Sequence, residues 1–246
     1  MTDTTIEPGL SSDVTEVRAQ KLAKLRETVA EVYPAHFHRT LTNAELAEKY
    51  ADIEPDTLTG EIVTVAGRVY SSRNSGMFMD IHDASGKVQI FSHKDTTPEE
   101  ARALLPLIDL GDIIGVTGEV RRTKRGELTV NAHEITMLTK ALLPMPEKWH
   151  GLTDIELRYR KRHLDIMTNE DSKLRFQQRS KIVSGIRRFM EDDGFMEIET
   201  PMLHSVYGGA TAEPFKTHHN TLKLDMYLRI APELFLKRTL VSGLTD

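Results

Sequence analysis

From Glu16 to Val32 the apolar residues Leu22, Leu25, Val29 and Val32 recur at intervals of three and four, the spacing of an amphipathic helix with one buried stripe. Pro34 is expected to stop it. Thr42-Asn-Ala-Glu45, just ahead of Leu46, has capping-box spacing and predicts a second, short helix. The period then changes to two. Glu61 to Tyr70 alternates with Val63, Val65 and Val69 on one face, and Met77 to His82 and Lys87 to Ser92 read as further strands. Asp83-Ala-Ser-Gly86 between them supplies turn residues and predicts a hairpin. Pro98 to Ile108 reads as a helix with proline near its first turn. Two more strands follow, Asp112 to Arg121 and Glu127 to Met137, around the basic turn Arg122-Thr-Lys-Arg125-Gly126.

Three strands, a helix and two strands is the order of an OB-fold, a small Greek-key β-barrel that often binds oligonucleotides. Any other five-stranded barrel or sandwich with no nucleic-acid role fits the same pattern. Leu143-Pro-Met-Pro146 then forms a stiff connector, followed by Trp149-His-Gly151. Ser172 to Asp193 reads as a long helix, with Ile182, Ile186 and Met190 at spacing four, closing on Gly194. Phe195 to Thr200 reads as a short strand halted by Pro201, Leu222 to Ile230 as another strand, and Pro232 to Leu240 as a helix. The fold class expected is α+β. An N-terminal helical extension covers residues 1–57, the barrel 58–140, a linker 141–157 and a second, mixed domain 158–246.

Composition narrows the chemistry. With 246 residues there is chain enough for two ordinary domains, and the absence of cysteine removes disulfides, thiolate zinc sites and cysteine nucleophiles together. No apolar run approaches the roughly 20 residues of a bilayer span, and the polar, acidic N-terminus does not read as a secretory signal, so a cytoplasmic address is expected. A formal net charge of −5 means that a nucleic-acid partner would need a local basic surface. There is no G-x-x-x-x-G-K-[ST] loop, no G-x-S-x-G elbow and no H-E-x-x-H pair. His218 and His219 are adjacent and so point to opposite faces of a strand, which suits hydrogen bonding better than a shared metal. No metal site is expected.

Some residues carry candidate chemistry. On the barrel, Phe78 offers a ring for base stacking beside Arg73, and Gln89 and Glu127 carry groups that pair with base edges. Each also fits as a core or solvated strand residue. Arg158-Tyr-Arg-Lys-Arg162 places four basic residues in five, able to meet phosphates or to form a solvated helix face. Gly208-Gly209 allows close backbone approach to a ligand or is ordinary loop, and Glu233 can bind an ammonium group.

Taken together, these segments resemble the N-terminal half of a class II lysyl-tRNA synthetase of the bacterial type, from about Lys21 onward. The resemblance is carried by Leu138-Thr-Lys-Ala-Leu-Leu-Pro-Met-Pro146, Trp149-His-Gly-Leu-Thr-Asp154, Arg158-Tyr-Arg-Lys-Arg-His-Leu-Asp165 and Gly194-Phe-Met-Glu-Ile-Glu-Thr-Pro-Met202, the last similar to class II motif 1. Thr217-His-His-Asn220 and Tyr227-Leu-Arg-Ile-Ala-Pro-Glu-Leu234 are more specific still. Related aspartyl and asparaginyl enzymes usually carry a Ser-Pro-Gln type of sequence where this chain has Ala231-Pro232-Glu233, which favours lysine.

The resemblance implies an OB-fold that binds the tRNA anticodon, with Phe78 stacking on a base and Arg73, Gln89 and Glu127 as polar readers. It implies the start of a class II antiparallel-sheet catalytic domain, in which Gly209 and Glu233 hold the α-amino end of L-lysine and Pro201 lies at a homodimer contact. It further implies ATP as substrate with Mg2+, and tRNA for lysine as partner. Glu213 stands where many relatives have a basic residue, and Ser205-Val206-Tyr207 departs from the family pattern before the glycine pair. The 246 residues do not include the F-R-x-E arginine of motif 2 or the Gly-rich motif 3. They are therefore expected not to catalyse ligation by themselves. The alternative is a stand-alone anticodon-binding and dimerisation module.

Overall fold

The computed structural model describes residues 12–146 and 152–244, so the Trp149-His-Gly151 segment lies outside the described residues. The chain divides into two compact units, Met1–Gly151 and Leu152–Asp246.

The first unit opens with helix α1 (Ser12–Thr28), whose Leu22 and Leu25 are buried as the three-four spacing requires. It ends well before Pro34, where the Thr28 hydroxyl turns back onto the Lys24 carbonyl at 2.7 Å. Val32 is nevertheless buried in the same cluster. Helix α2 (Asn43–Lys49) starts on a complete capping box: Thr42 accepts from the Glu45 N–H while the Glu45 carboxylate accepts from the Thr42 N–H.

Five strands follow: β1 (Thr57–Arg73), β2 (Phe78–His82), β3 (Lys87–Phe91), β4 (Ile113–Arg122) and β5 (Leu128–Thr139). They pair in the order β1-β2-β3-β5-β4 and β4 returns to β1, closing a barrel. All contacts are antiparallel except β3 with β5, the parallel closure. The β2–β3 hairpin is turned by Asp83, whose Oδ1 accepts from the Ser85 and Gly86 N–H groups at 2.8 and 2.9 Å. Inside lie Val63, Val65, Val69, Met79, Ile81, Ile90, Val116 and Val130, continuous with the buried residues of α1 and α2. At Gly118, beside a register shift in β4, a Cβ would stand 1.9 Å from the Asn131 carbonyl oxygen. Only glycine lets the strands approach so closely.

The helix expected over Pro98–Ile108 is broken in two, α3 (Glu99–Ala103) and a 3-10 turn (Leu105–Leu107). Pro106 explains the break, since it has no N–H to extend the α-helical ladder. One of the three cations of the basic turn is structural. Arg122 donates to the carbonyls of Gly126, Tyr50 and Ala51, each at 2.9 Å.

The second unit has short helices α4 (Ile155–Arg160) and α5 (Arg162–Thr168), then the long α6 (Glu170–Asp192). Asn169 caps α6 by accepting from the Asp171 and Ser172 N–H groups. Its end is a Schellman closure: Gly194 has φ +89°, Gly194 N–H reaches the Glu191 carbonyl and Phe195 N–H the Met190 carbonyl. Phe195–Thr200 is not a strand. The alternation there is genuine, but no neighbouring segment among the described residues offers it a ladder. A three-stranded sheet follows instead from β6 (Leu203–His204), β7 (Lys216–His219) and β8 (Leu224–Leu228), in the order β6-β8-β7, and α7 (Glu233–Val241) comes last.

Candidate nucleic-acid interface and amino-acid cradle

Alternation turns one set of side chains to the outer face of β2 and β3, next to the buried Thr129 and Asn131 of β5. Phe78 pairs in register with Phe91, Asp80 with Gln89, Gln89 with Thr129 and Phe91 with Asn131. The Phe78 and Phe91 rings meet at 4.9 Å between centroids, and the His93 ring lies parallel to Phe91 at 5.8 Å. Across the β4–β5 edge the Arg121 guanidinium stands over Phe91 at 5.6 Å. Arg73 reaches Asp80 at 3.4 Å and is exposed. Gln89 accepts from the Thr129 hydroxyl at 3.1 Å through Oε1. Glu127 sits at the start of β5, 3.8 Å from Lys87, so its carboxylate lies at one end of the same face.

The structure thus gathers Arg73, Phe78 and Gln89 with Glu127 at the margin of one surface. Two members escaped the sequence reading. Phe91 had a signal, because it stands two residues beyond Gln89 and therefore on its face. Arg121 had none, since its approach depends on the non-local closure of the barrel.

In the second unit, Gly208-Gly209 is seated on the start of α7. A Cβ on Gly209 would meet Glu233 Cβ at 3.0 Å and Glu233 Oε2 at 3.3 Å, and Gly209 has φ +86°. One on Gly208 would meet Leu234 at 3.1 Å. Glu233 Oε1 is held by Lys237 Nζ at 2.6 Å, which leaves Oε2 toward the glycine main chain. Beneath it, buried His204 pairs through Nε2 with the Pro201 carbonyl at 3.0 Å and packs on Phe235 of α7. Arg229 donates to both the carbonyl and the hydroxyl of Thr200, and its N–H to the Met202 carbonyl. Pro201 is exposed between these anchors. His218 pairs with Asp225 at 2.7 Å and His219 accepts from the Leu222 N–H, the hydrogen-bonding roles expected of them.

Two family models match. Residues 63–138 match the OB-fold nucleic acid binding domain of the tRNA anticodon-binding group, and residues 154–246 match the class II tRNA synthetases for D, K and N. The chain is 85% identical over its whole length to a lysine–tRNA ligase of Rhizobium johnstonii, of which it covers 49%. It is 87% identical to that of Rhizobium leguminosarum bv. trifolii, over 98% of this chain and 48% of the relative. The chain belongs to the lysine–tRNA ligase family. Against the more distant ligase of Lysinibacillus sphaericus identity is 49%, over 93% of this chain and 46% of the relative. The chain spans about half the length of the curated relatives it matches.

Within this ligase family the outward barrel face belongs to a nucleic-acid-binding domain. The sheet and α7 belong to the synthetase domain. No helix among the described residues is long and apolar enough to cross a membrane. Among them no group of three or more His, Asp or Glu side chains gathers where a metal ion could be held.

Proposed function

We propose that this chain supplies the anticodon-reading and amino-acid-cradling parts of a cytoplasmic lysine–tRNA ligase. The observation that carries the reading is the Phe78–Phe91 pair with Arg121 above it, flanked by Arg73, Gln89 and Glu127 on one barrel face. Stacked bases are worth about 1–3 kcal/mol each on aromatic platforms, and amide and carboxylate groups beside them select base edges. Phe78 and Phe91 hold anticodon bases, and Gln89, Arg73 and Glu127 read them.

In the second unit Glu233 Oε2 and the Gly209 main chain receive the α-ammonium of L-lysine. An ammonium group has three donors and no acceptor, so a carboxylate and backbone oxygens suit it. In the whole ligase the lysine carboxylate attacks the α-phosphate of ATP, giving lysyl-adenylate and releasing pyrophosphate. The tRNA 3′-terminal hydroxyl then takes the lysyl group and AMP leaves. This chain's part in those steps is positioning. Magnesium would accompany the ATP phosphates, but no set of side chains among the described residues gathers to hold it. Pro201 lies at the homodimer contact, a reading supported by the exposed apolar residues Ile186 and Phe189 of α6 and Phe195 and Met196 in the segment between α6 and Pro201.

Filter binding of the 246-residue chain to lysine tRNA tests the reading. Wild-type chain should prefer the intact anticodon over a substituted one, and Phe78→Ala should remove at least tenfold of that preference, the effect of losing one stack of about 1.4 kcal/mol. Equal affinity for all tRNAs would overturn it. The 246 residues by themselves should give no lysine-dependent ATP–pyrophosphate exchange above a blank. Exchange by the purified chain would refute that part.

A further inference from the structure

The parallel closure of the barrel is its shortest seam, made by the pairs Gln89–Thr129, Ile90–Val130 and Phe91–Asn131. Two of the proposed base readers meet there, because Gln89 lies on β3 and Glu127 stands just ahead of β5. Thr129 lies between them. It is 0% exposed, paired with Gln89 on one side and with Arg121 of β4 on the other. Val130, the next residue, faces the core, so Thr129 is turned to the same side as Gln89. Its single hydroxyl proton is shared between Gln89 Oε1 at 3.1 Å and the Glu127 carbonyl at 3.2 Å. One buried group thus ties the side chain of one reader to the main chain of the other. Arg73 is held differently. Its partner Asp80 stands at 3.4 Å and the arginine side chain is 55% exposed, so that pair fixes its geometry weakly. An amide has two unlike ends. With Oε1 on Thr129, the end of Gln89 turned away from the seam is Nε2, which carries two N–H donors and no acceptor.

We propose that Thr129 is a positioning residue for base reading: it locks the Gln89 amide with its donor end toward the RNA, so that this position takes a base edge carrying a carbonyl and rejects one carrying an amino group. A base carbonyl receives the Nε2 donors, whereas an exocyclic amino group sets donor against donor. Without the lock, half a turn of the amide exchanges its two ends and the discrimination is lost. The lock also fixes a long side chain before RNA arrives, so less of its freedom is given up on binding. Because the same hydroxyl holds the Glu127 carbonyl, the start of β5 keeps step with β3 and the two readers keep their spacing. This role rests on the barrel face being the anticodon site, and adds which chemical edge that site selects.

The test uses the 246-residue chain and lysine tRNA anticodon stem–loops in which one carbonyl-bearing base at a time is exchanged for the amino-bearing base of the same ring size, cytosine for uracil or adenine for guanine. Fluorescence anisotropy measures each affinity. The wild-type chain should prefer the carbonyl base at one position. Thr129→Val keeps the shape and β-branching of the side chain and removes only the hydroxyl. It should cut that preference about fivefold, in part by tightening the amino-bearing loop. Thr129→Ser should restore it. In a Gln89→Met background Thr129→Val should change the preference by less than about twofold, because the amide it orients is gone. An unchanged preference in Thr129→Val would overturn the proposal. So would an equal loss of affinity for every loop, or the same loss with and without Gln89, either of which would make Thr129 a residue of the fold alone. A wild-type chain with no preference at any position would overturn the anticodon reading itself, and this role with it.

Discussion

Lys140 is the cation whose removal should cost the barrel most. Its side chain is 0% exposed, and Nζ is 2.9 Å from the Leu107 carbonyl, 2.5 Å from Asp109 and 2.7 Å from Asp112, whose side chain is also 0% exposed. Asp109 has a second cation, Lys21 of α1, at 2.6 Å. Among the described residues Asp112 has Lys140 alone as counter-charge, plus the Asp109 and Ala141 N–H groups. Lys140→Met fills nearly the same volume but strands the Asp112 charge in the interior. Breaking a buried pair in this way costs about 3–5 kcal/mol. With a urea slope of about 2 kcal/mol per molar, the midpoint should fall by about 1.5–2.5 M. Hydrogen exchange at the Val116 and Val130 amides against urea reads the barrel alone. In an Asp112→Asn background the same substitution should cost much less, since no charge is left behind, with a coupling of up to about 3 kcal/mol. A midpoint shift under about 0.5 M, or equal costs in both backgrounds, would refute the account.

Three further outcomes follow from the same geometry. Gly118→Ala should destabilise the barrel by more than about 2 kcal/mol or prevent its folding, because the new methyl would overlap the Asn131 carbonyl and the strands must part; thermal unfolding checks it. Thr42→Ala removes one side of the α2 capping box and should cost about 1 kcal/mol in urea unfolding, with little effect on RNA binding. For Asp83, burial raises the carboxyl, but hydrogen bonds from Ser85, Asn43 and Gly86 hold it below its ordinary value; for Asp109, burial is likewise outweighed by Lys140 and Lys21. The unfolded chain therefore binds more protons than the folded one in this range. Stability should be full above the ordinary carboxylate range near about 4, then fall as pH drops through the folded values, and Asp83→Asn should flatten that decline.

The barrel was legible because its strands alternate and its turns are local. Val63, Val65 and Val69 are buried as their spacing required, and Asp83 makes the turn its side chain suits. Strand β1 runs past the alternating stretch because Thr57 and Leu58 pair with Arg122 and Arg121, a partner that no local pattern announces. Arg121 was hidden at the site for the same reason. Phe195–Thr200 failed in the opposite sense. Its residue types fit a strand, but a strand exists only with a neighbour, and Phe195 and Met196 are left exposed. Proximity of Gly209 to Glu233 came from family likeness, not spacing, because nothing local brings together residues so far apart in sequence.

Charge counts separate the clusters that hold the fold from those that face a ligand. Around Lys140 two lysines meet two aspartates, closed and buried. On the barrel face Arg73 and Lys87 are matched by Asp80 and Glu127, and among the described residues Arg121 over Phe91 is the cation left in surplus. Counterion release at one cation sets a salt slope of about 0.7 on single-stranded RNA, so barrel binding should weaken about fivefold between about 0.05 and 0.5 M salt. Stacking on Phe78 and Phe91 is insensitive to salt by comparison. Anticodon preference should therefore hold as salt rises, because the rings that carry the stacking are not what salt removes. Fluorescence anisotropy with intact and anticodon-substituted tRNA across that range measures the ratio directly. A preference that declines with salt would mean that the barrel face is held by charge and not by its rings.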